Sequence, residues 1–86
     1  MSLSQLEIEN LSSIKYTYLT QHKGRSVYCV SSQDHIDACE SLVKRGWVLD
    51  VSSLYMEESS RDKCYALTVK GSKETDFIQF DESDLQ

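Results

Sequence analysis

Proline is absent from the 86 residues and glycine occurs only three times. Without proline, no position is barred from regular structure by a missing backbone donor. Three glycines are too few for the glycine-rich loops that cradle phosphates, and no nucleophile elbow, P-loop or H-E-x-x-H pattern occurs. Cysteine is scarce and odd in number: Cys29, Cys39 and Cys64, with no C-x-x-C. That argues against a disulfide framework and a zinc ribbon, and predicts three reduced thiols acting as small hydrophobes in a reducing compartment. No apolar run approaches the roughly 20 residues that span a bilayer. The first residues show no basic segment ahead of an apolar one, so no signal peptide is expected and the setting reads as cytoplasmic. The sequon Asn10-Leu11-Ser12 then has no meaning.

What is present describes one small globular domain, with 40% hydrophobic and 27% charged residues. The net charge of −5 is unevenly placed. Residues 1–46 hold five acids and five bases, whereas residues 47–86 hold nine acids and four bases. An acidic half disfavours nucleic acid and anionic membrane and suits a basic protein surface.

The chain reads as α+β. Leu3, Leu6 and Leu11 predict a short N-terminal helix over 3–11, with Ser2 or Ser4 as cap. Residues 14–20 and 26–31 are β-branched and aromatic with period 2. With the Gly24-containing stretch 21–25 between them they read as a hairpin, preferred over one long helix from 3 to 22. Ile36, Cys39, Leu42 and Val43 lie on one helical face. Asp34 and Asp37 stand near the start of that element and Lys44 and Arg45 at its end, so the main helix is placed at 33–45 with Gly46 as its C-terminal glycine. Ser31 and Asp34 form a reduced capping box. Trp47, Leu49, Val51 and Tyr55 predict one strand face, and Tyr65, Leu67 and Val69 another, joined by a charged loop. Gly71 ends that strand, and residues 77–80 read as an edge strand or docking segment. The expected whole is a small antiparallel sheet of two hairpins with one main helix packed on a face. Its domain covers 1–80, Trp47 is its anchor, and a frayed acidic tail covers 81–86.

The run Leu42-Val43-Lys44-Arg45-Gly46-Trp47-Val48-Leu49, followed by Cys64-Tyr65-Ala66-Leu67, resembles small bacterial domains of unknown function. They are built as strand, helix ending in Gly-Trp, strand, strand. The resemblance spans 26–70 and implies a compact sandwich with no activity attached. The same run, with Tyr65 to Gly71, also looks like the end of a winged-helix DNA-binding domain, which implies a helix in the major groove. In this chain the wing position 56–62 carries three acids and one base, and the helix would turn Asp34, Asp37 and Glu40 toward phosphates.

Candidate chemistry is sparse. His22 falls in the proposed hairpin loop. Asp34, His35 and Asp37 cannot converge on one metal from a single helix. Cys29 and His35 form a nucleophile pair on paper, but strand alternation buries Cys29, and an apolar, buried thiol is inert. The expectation is therefore no enzyme, no metal and no cofactor. Five tyrosines exceed what a small core requires. The candidate partner contacts are Tyr16 and Tyr18, read as sharing a strand face, with Glu57 and Glu58 in the charged loop and Asp81, Glu82 and Asp84 in the tail. The expected function is a small regulatory or inhibitory protein-binding module whose partner is another protein or a second copy, with winged-helix regulation as the alternative.

Overall fold

A computed structural model describes residues 2–20, 27–55 and 61–85, without the side chain of Asp84. Helix α1 covers Gln5–Thr20 and strand β1 Tyr28–Val30. Helix α2 covers Gln33–Lys44 and strand β2 Val48–Asp50. The short helix α3 covers Ser52–Tyr55, strand β3 Lys63–Leu67 and helix α4 Val69–Glu74; a 3-10 turn, Glu82–Leu85, closes the chain. The class is α+β: a three-stranded antiparallel sheet in the order β1-β3-β2, with α2 packed against it and an N-terminal helix.

The first expected hairpin is corrected. Residues 14–20 complete α1 instead of pairing with 26–31. Ser4 and Glu7 start the helix with a reciprocal capping box: Ser4 N–H donates to Glu7 Oε1 at 2.9 Å, and Glu7 N–H to Ser4 Oγ at 3.1 Å. Leu11, Ile14 and Lys15 are buried and Tyr18 is half-buried, which is helical spacing. The threonines that suggested a strand return their hydroxyls to the helix. Thr17 Oγ1 donates to Ser13 O at 2.9 Å and Thr20 Oγ1 to Tyr16 O at 3.0 Å. Residues 21–25, including His22, lie outside the described residues.

Helix α2 buries Ile36, Cys39 and Leu42 as the periodicity requires. Its N-cap is Ser32, without a side-chain cap bond, so the reduced capping box at Ser31 does not form. Gly46 takes φ +79°, and the two bonds of a Schellman ending follow: Gly46 N–H to Val43 O at 2.9 Å and Trp47 N–H to Leu42 O at 3.2 Å. Trp47 N–H is held by the cap, while its carbonyl accepts from Thr68 N–H at 3.0 Å and pairing with β3 continues at Val48↔Leu67. Val48 is buried and Leu49, expected inside, is 57% exposed, so the strand faces are the reverse of those expected.

Strand β3 is central and carries Tyr65, 0% exposed, whose phenol donates to Glu40 Oε2 at 2.8 Å. Burial and then that bond raise its pKa. Val69, expected in the strand, is 68% exposed because Thr68 caps α4, accepting from Gly71 N–H at 2.9 Å. Gly71 thus lies inside a helix and does not end a strand. Residues 77–80 form no strand.

Candidate functional site

Directly opposed residues of an antiparallel pair share a face. Val30, Tyr65, Leu67 and Val48 are buried in the core with Leu11, Ile14, Ile36, Cys39 and Leu42 from α1 and α2. The alternate residues, Cys29, Cys64, Leu49 and Ala66, lie on the other face.

The end of the molecule where α1 passes the start of β1 holds an open cleft of about 370 Å³, lined by Ser12, Ser13, Tyr16, Thr17, Tyr28 and Phe80. Three elements contribute. α1 presents Tyr16, β1 presents Tyr28, and the segment after α4 brings Phe80 against Tyr16 edge-to-face, with ring centroids 5.6 Å apart. That segment is held down by two contacts. Lys15, buried on α1, donates through Nζ to the carbonyl of Thr75, and Ile78 packs on the core. Beyond Phe80, Asp81 and Glu82 are exposed, so two carboxylates follow directly on the aromatic wall.

Tyr16 belongs to this cleft and is 38% exposed. Tyr18 does not: two residues along a helix point to different sides, so it is half-buried against the core and the expected common face with Tyr16 is corrected. Glu57 and Glu58 lie outside the described residues. Asp84 sits in the closing turn, which contacts α1, with Leu85 half-buried in a second groove beside Lys15 and Leu19. Phe80 and Tyr28 are the site residues that sequence reasoning missed. Phe80 had a weak signal in the segment 77–80, read as edge strand or docking segment. Tyr28 is one of the five surplus tyrosines, but strand periodicity alone does not set it apart as a contact residue.

The cysteines differ from expectation. Cys29 and Cys64 form a disulfide, while Cys39 is the one free cysteine, buried and with its thiol pushed up to about 12 by burial and then by Glu40. Cys29 is exposed, not buried. It shares a small cleft of about 220 Å³ with Tyr28, Val30, Ser31, Ser32 and His35. His35 is occupied structurally, its Nδ1 lying 2.9 Å from Asn10 Nδ2 on α1. Among the described residues no group of three or more His, Cys, Asp or Glu side chains could hold a metal ion, and no helix is long and apolar enough to cross a membrane.

Trp47 stands apart from the cleft. It is half-buried, its indole N–H donates to the carboxylate of Glu74, and the Arg45 guanidinium lies 5.2 Å from the ring centroid. The chain matches no protein-family model, no curated protein and no solved structure. The class defined by the fold is α+β, a three-stranded antiparallel sheet with the main helix packed against it.

Proposed function

We propose that the protein is a non-catalytic binding and regulatory module that takes a basic protein partner at the aromatic cleft. The observation that carries this reading is the juxtaposition of Tyr16, Tyr28 and Phe80 with the exposed carboxylates of Asp81 and Glu82. Aromatic rings accept the stem and charge of a lysine or arginine, and adjacent carboxylates attract it from a distance. The cleft is open and shallow, as suits a protruding side chain more than an enclosed substrate. The test is a titration of the full chain with an arginine-rich peptide, followed by amide chemical shifts. Perturbations at Ser12, Tyr16, Tyr28 and Phe80, weakened by salt and by Phe80→Ala, support the reading. Perturbations spread along α2 alone would sink it.

Two further readings rest on specific observations. Leu49 on the outer face of edge strand β2 and Leu54 and Tyr55 on α3 are exposed, so a homodimer on that side of the sheet is the form a second copy would take. The presence of α1 where a hairpin was expected removes one argument against a winged helix. Yet α1 and α2 are separated by β1 and not by a tight turn, and Asp34, Asp37 and Glu40 are exposed on α2. A protein partner therefore fits better than DNA. A gel shift with random duplex at physiological salt, tighter than ~10⁻⁶ M, would reverse that preference. A cytoplasmic setting stays within the proposal, because disulfides of cytosolic proteins are generally transient or redox-sensing ones.

A further inference from the structure

The disulfide joins residues that face each other directly across two strands, Cys29 on β1 and Cys64 on β3, with Cα atoms 4.1 Å apart. That separation belongs to the closely spaced, non-hydrogen-bonded pairs of an antiparallel ladder. The hydrogen bonds agree. Cys64 turns its backbone toward β2 and α3, its N–H donating to Ser52 Oγ at 2.9 Å and its carbonyl accepting from Val51 N–H at 2.9 Å. Neither group is directed at Cys29.

The two sulfurs stand in unlike surroundings. Cys64 is 0% exposed on the central strand, whereas Cys29 is exposed on an edge strand. Exchange proceeds by a thiolate attacking one sulfur in line with the bond it breaks. For Cys29 Sγ that line comes in from the open side of β1, where no further strand lies among the described residues. Cys64 is fully enclosed, with Val51 and Ser52 bonded to its backbone, so no such approach is open to it. The approach to Cys29 is bordered by the small cleft of Tyr28, Val30, Ser31, Ser32 and His35. Cys39 lies on the opposite side of the sheet, among the core residues under α2, and its raised pKa keeps it a thiol.

From this geometry we infer that Cys29–Cys64 is a reversible redox pair, with Cys29 as the site at which a small thiol of the glutathione class exchanges and is transiently attached. In the first step the external thiolate bonds to Cys29 Sγ, the Cys29–Cys64 bond breaks, and Cys64 leaves as a thiolate that takes up a proton. In the second step another external thiolate attacks the attached sulfur and releases Cys29 as its thiolate. The protein gains two electrons and two protons as two external thiols become one disulfide. With Cys39 out of reach no third cysteine of the chain intercepts the adduct.

The test uses the full oxidised chain incubated with reduced glutathione at neutral pH, quenched with iodoacetamide and mapped by peptide mass. The expected result is glutathione on Cys29 and the alkyl group on Cys64, with adducts at Cys29 exceeding those at Cys64 by on the order of tenfold or more. In Cys64→Ser the remaining Cys29 thiolate, offered oxidised glutathione instead, takes the adduct in native protein and releases one reduced glutathione. In Cys29→Ser, Cys64 takes it from oxidised glutathione only after denaturant is added. The inference is overturned if the disulfide resists glutathione until the chain is unfolded, if adducts are equal on the two cysteines, or if the native chain treated with an oxidant still carries Cys29 and Cys64 as free thiols.

Discussion

At Gly71 a single hydrogen decides whether α4 can pack. A β-carbon there would stand 2.0 Å from the carbonyl oxygen of Trp47 and 3.0 Å from Leu67 Cδ1. The carbonyl cannot retreat, because it accepts from both the N–H and the hydroxyl of Thr68. Gly71→Ala, favourable by helix propensity alone, is therefore expected to destabilise by about 1–3 kcal/mol through overpacking. A urea midpoint at or above that of the parent chain would show that α4 shifts freely. Two aromatic residues make a second comparison. Tyr65 is fully enclosed, and Tyr65→Ala is expected to cost the ~3–5 kcal/mol of a buried ring. Trp47, read from sequence as the anchor, is half-buried, and Trp47→Ala is expected to cost less. The reverse order in paired melts would return the anchoring role to Trp47. Glu7 supplies a pH dependence. Hydrogen bonding to Ser4, backbone first, outweighs burial and lowers its pKa below 4.5, with Ser41 Oγ adding a bond at 2.9 Å. A carboxyl lowered by folding stabilises fully above its unfolded value, and that contribution fades as pH falls through the lower folded value. Glu7→Gln should thus lower stability at neutral pH and flatten the acid limb below 4.5, as read by melting temperature against pH.

Among the elements, α2 was legible and the first half of the chain was not. Helix α2 carries one unambiguous period, complementary charges at its two ends and a glycine where the backbone turns left-handed, so its local signals agree. In 14–20 two periods coincide. Ile14 and Tyr18 satisfy both a two-residue and a helical repeat, and only Tyr16, exposed on the helix, separates them. β-propensity favoured the wrong one, because it does not see that threonine hydroxyls can bond inside a helix or that the Ser4–Glu7 box has already started one. Packing against α2, including the Asn10–His35 contact, then settles the helix. Strand faces failed for a different reason. Alternation divides a strand into two faces without saying which one meets the core, and here Val48 meets it while Leu49 does not. The cleft was half legible. Tyr16 stood out as surplus aromatic, but its companionship with Phe80 depends on the chain returning across α1 after α4, which no local pattern encodes. Ser4→Ala tests the assigned start of α1. Loss of an N-cap costs ~0.5–2 kcal/mol, and no loss at all would place the helix start elsewhere.

For the molecule as a whole, the disulfide turns an open chain into one with a closed ring. Cys29 and Cys64 are 35 residues apart, and the ring between them contains α2, β2 and α3. A domain this small buries a limited core, so constraints on its unfolded state weigh heavily against a total stability of ~5–15 kcal/mol. Closing a loop of that length removes unfolded-state entropy worth about 4 kcal/mol in the chain-entropy treatment, with measured effects generally ~2–4 kcal/mol. The ladder between β1 and β3 does not depend on the bond, since Tyr28↔Tyr65 and Val30↔Lys63 flank it on either side. Reduction should therefore keep the fold and lower its stability by about 2–4 kcal/mol, acting mainly on the unfolded chain. Two readouts separate this from loss of native structure. The circular dichroism of reduced and oxidised protein should superimpose in water. The urea slope m should be larger for the reduced form, because an unfolded chain without the ring exposes more surface. Equal slopes with a lower midpoint would place the loss in the native state, as strain or broken packing around β1. An unfolded spectrum on reduction alone would mean that the edge strand, and with it the wall of the aromatic cleft at Tyr28, is held in place by the bond.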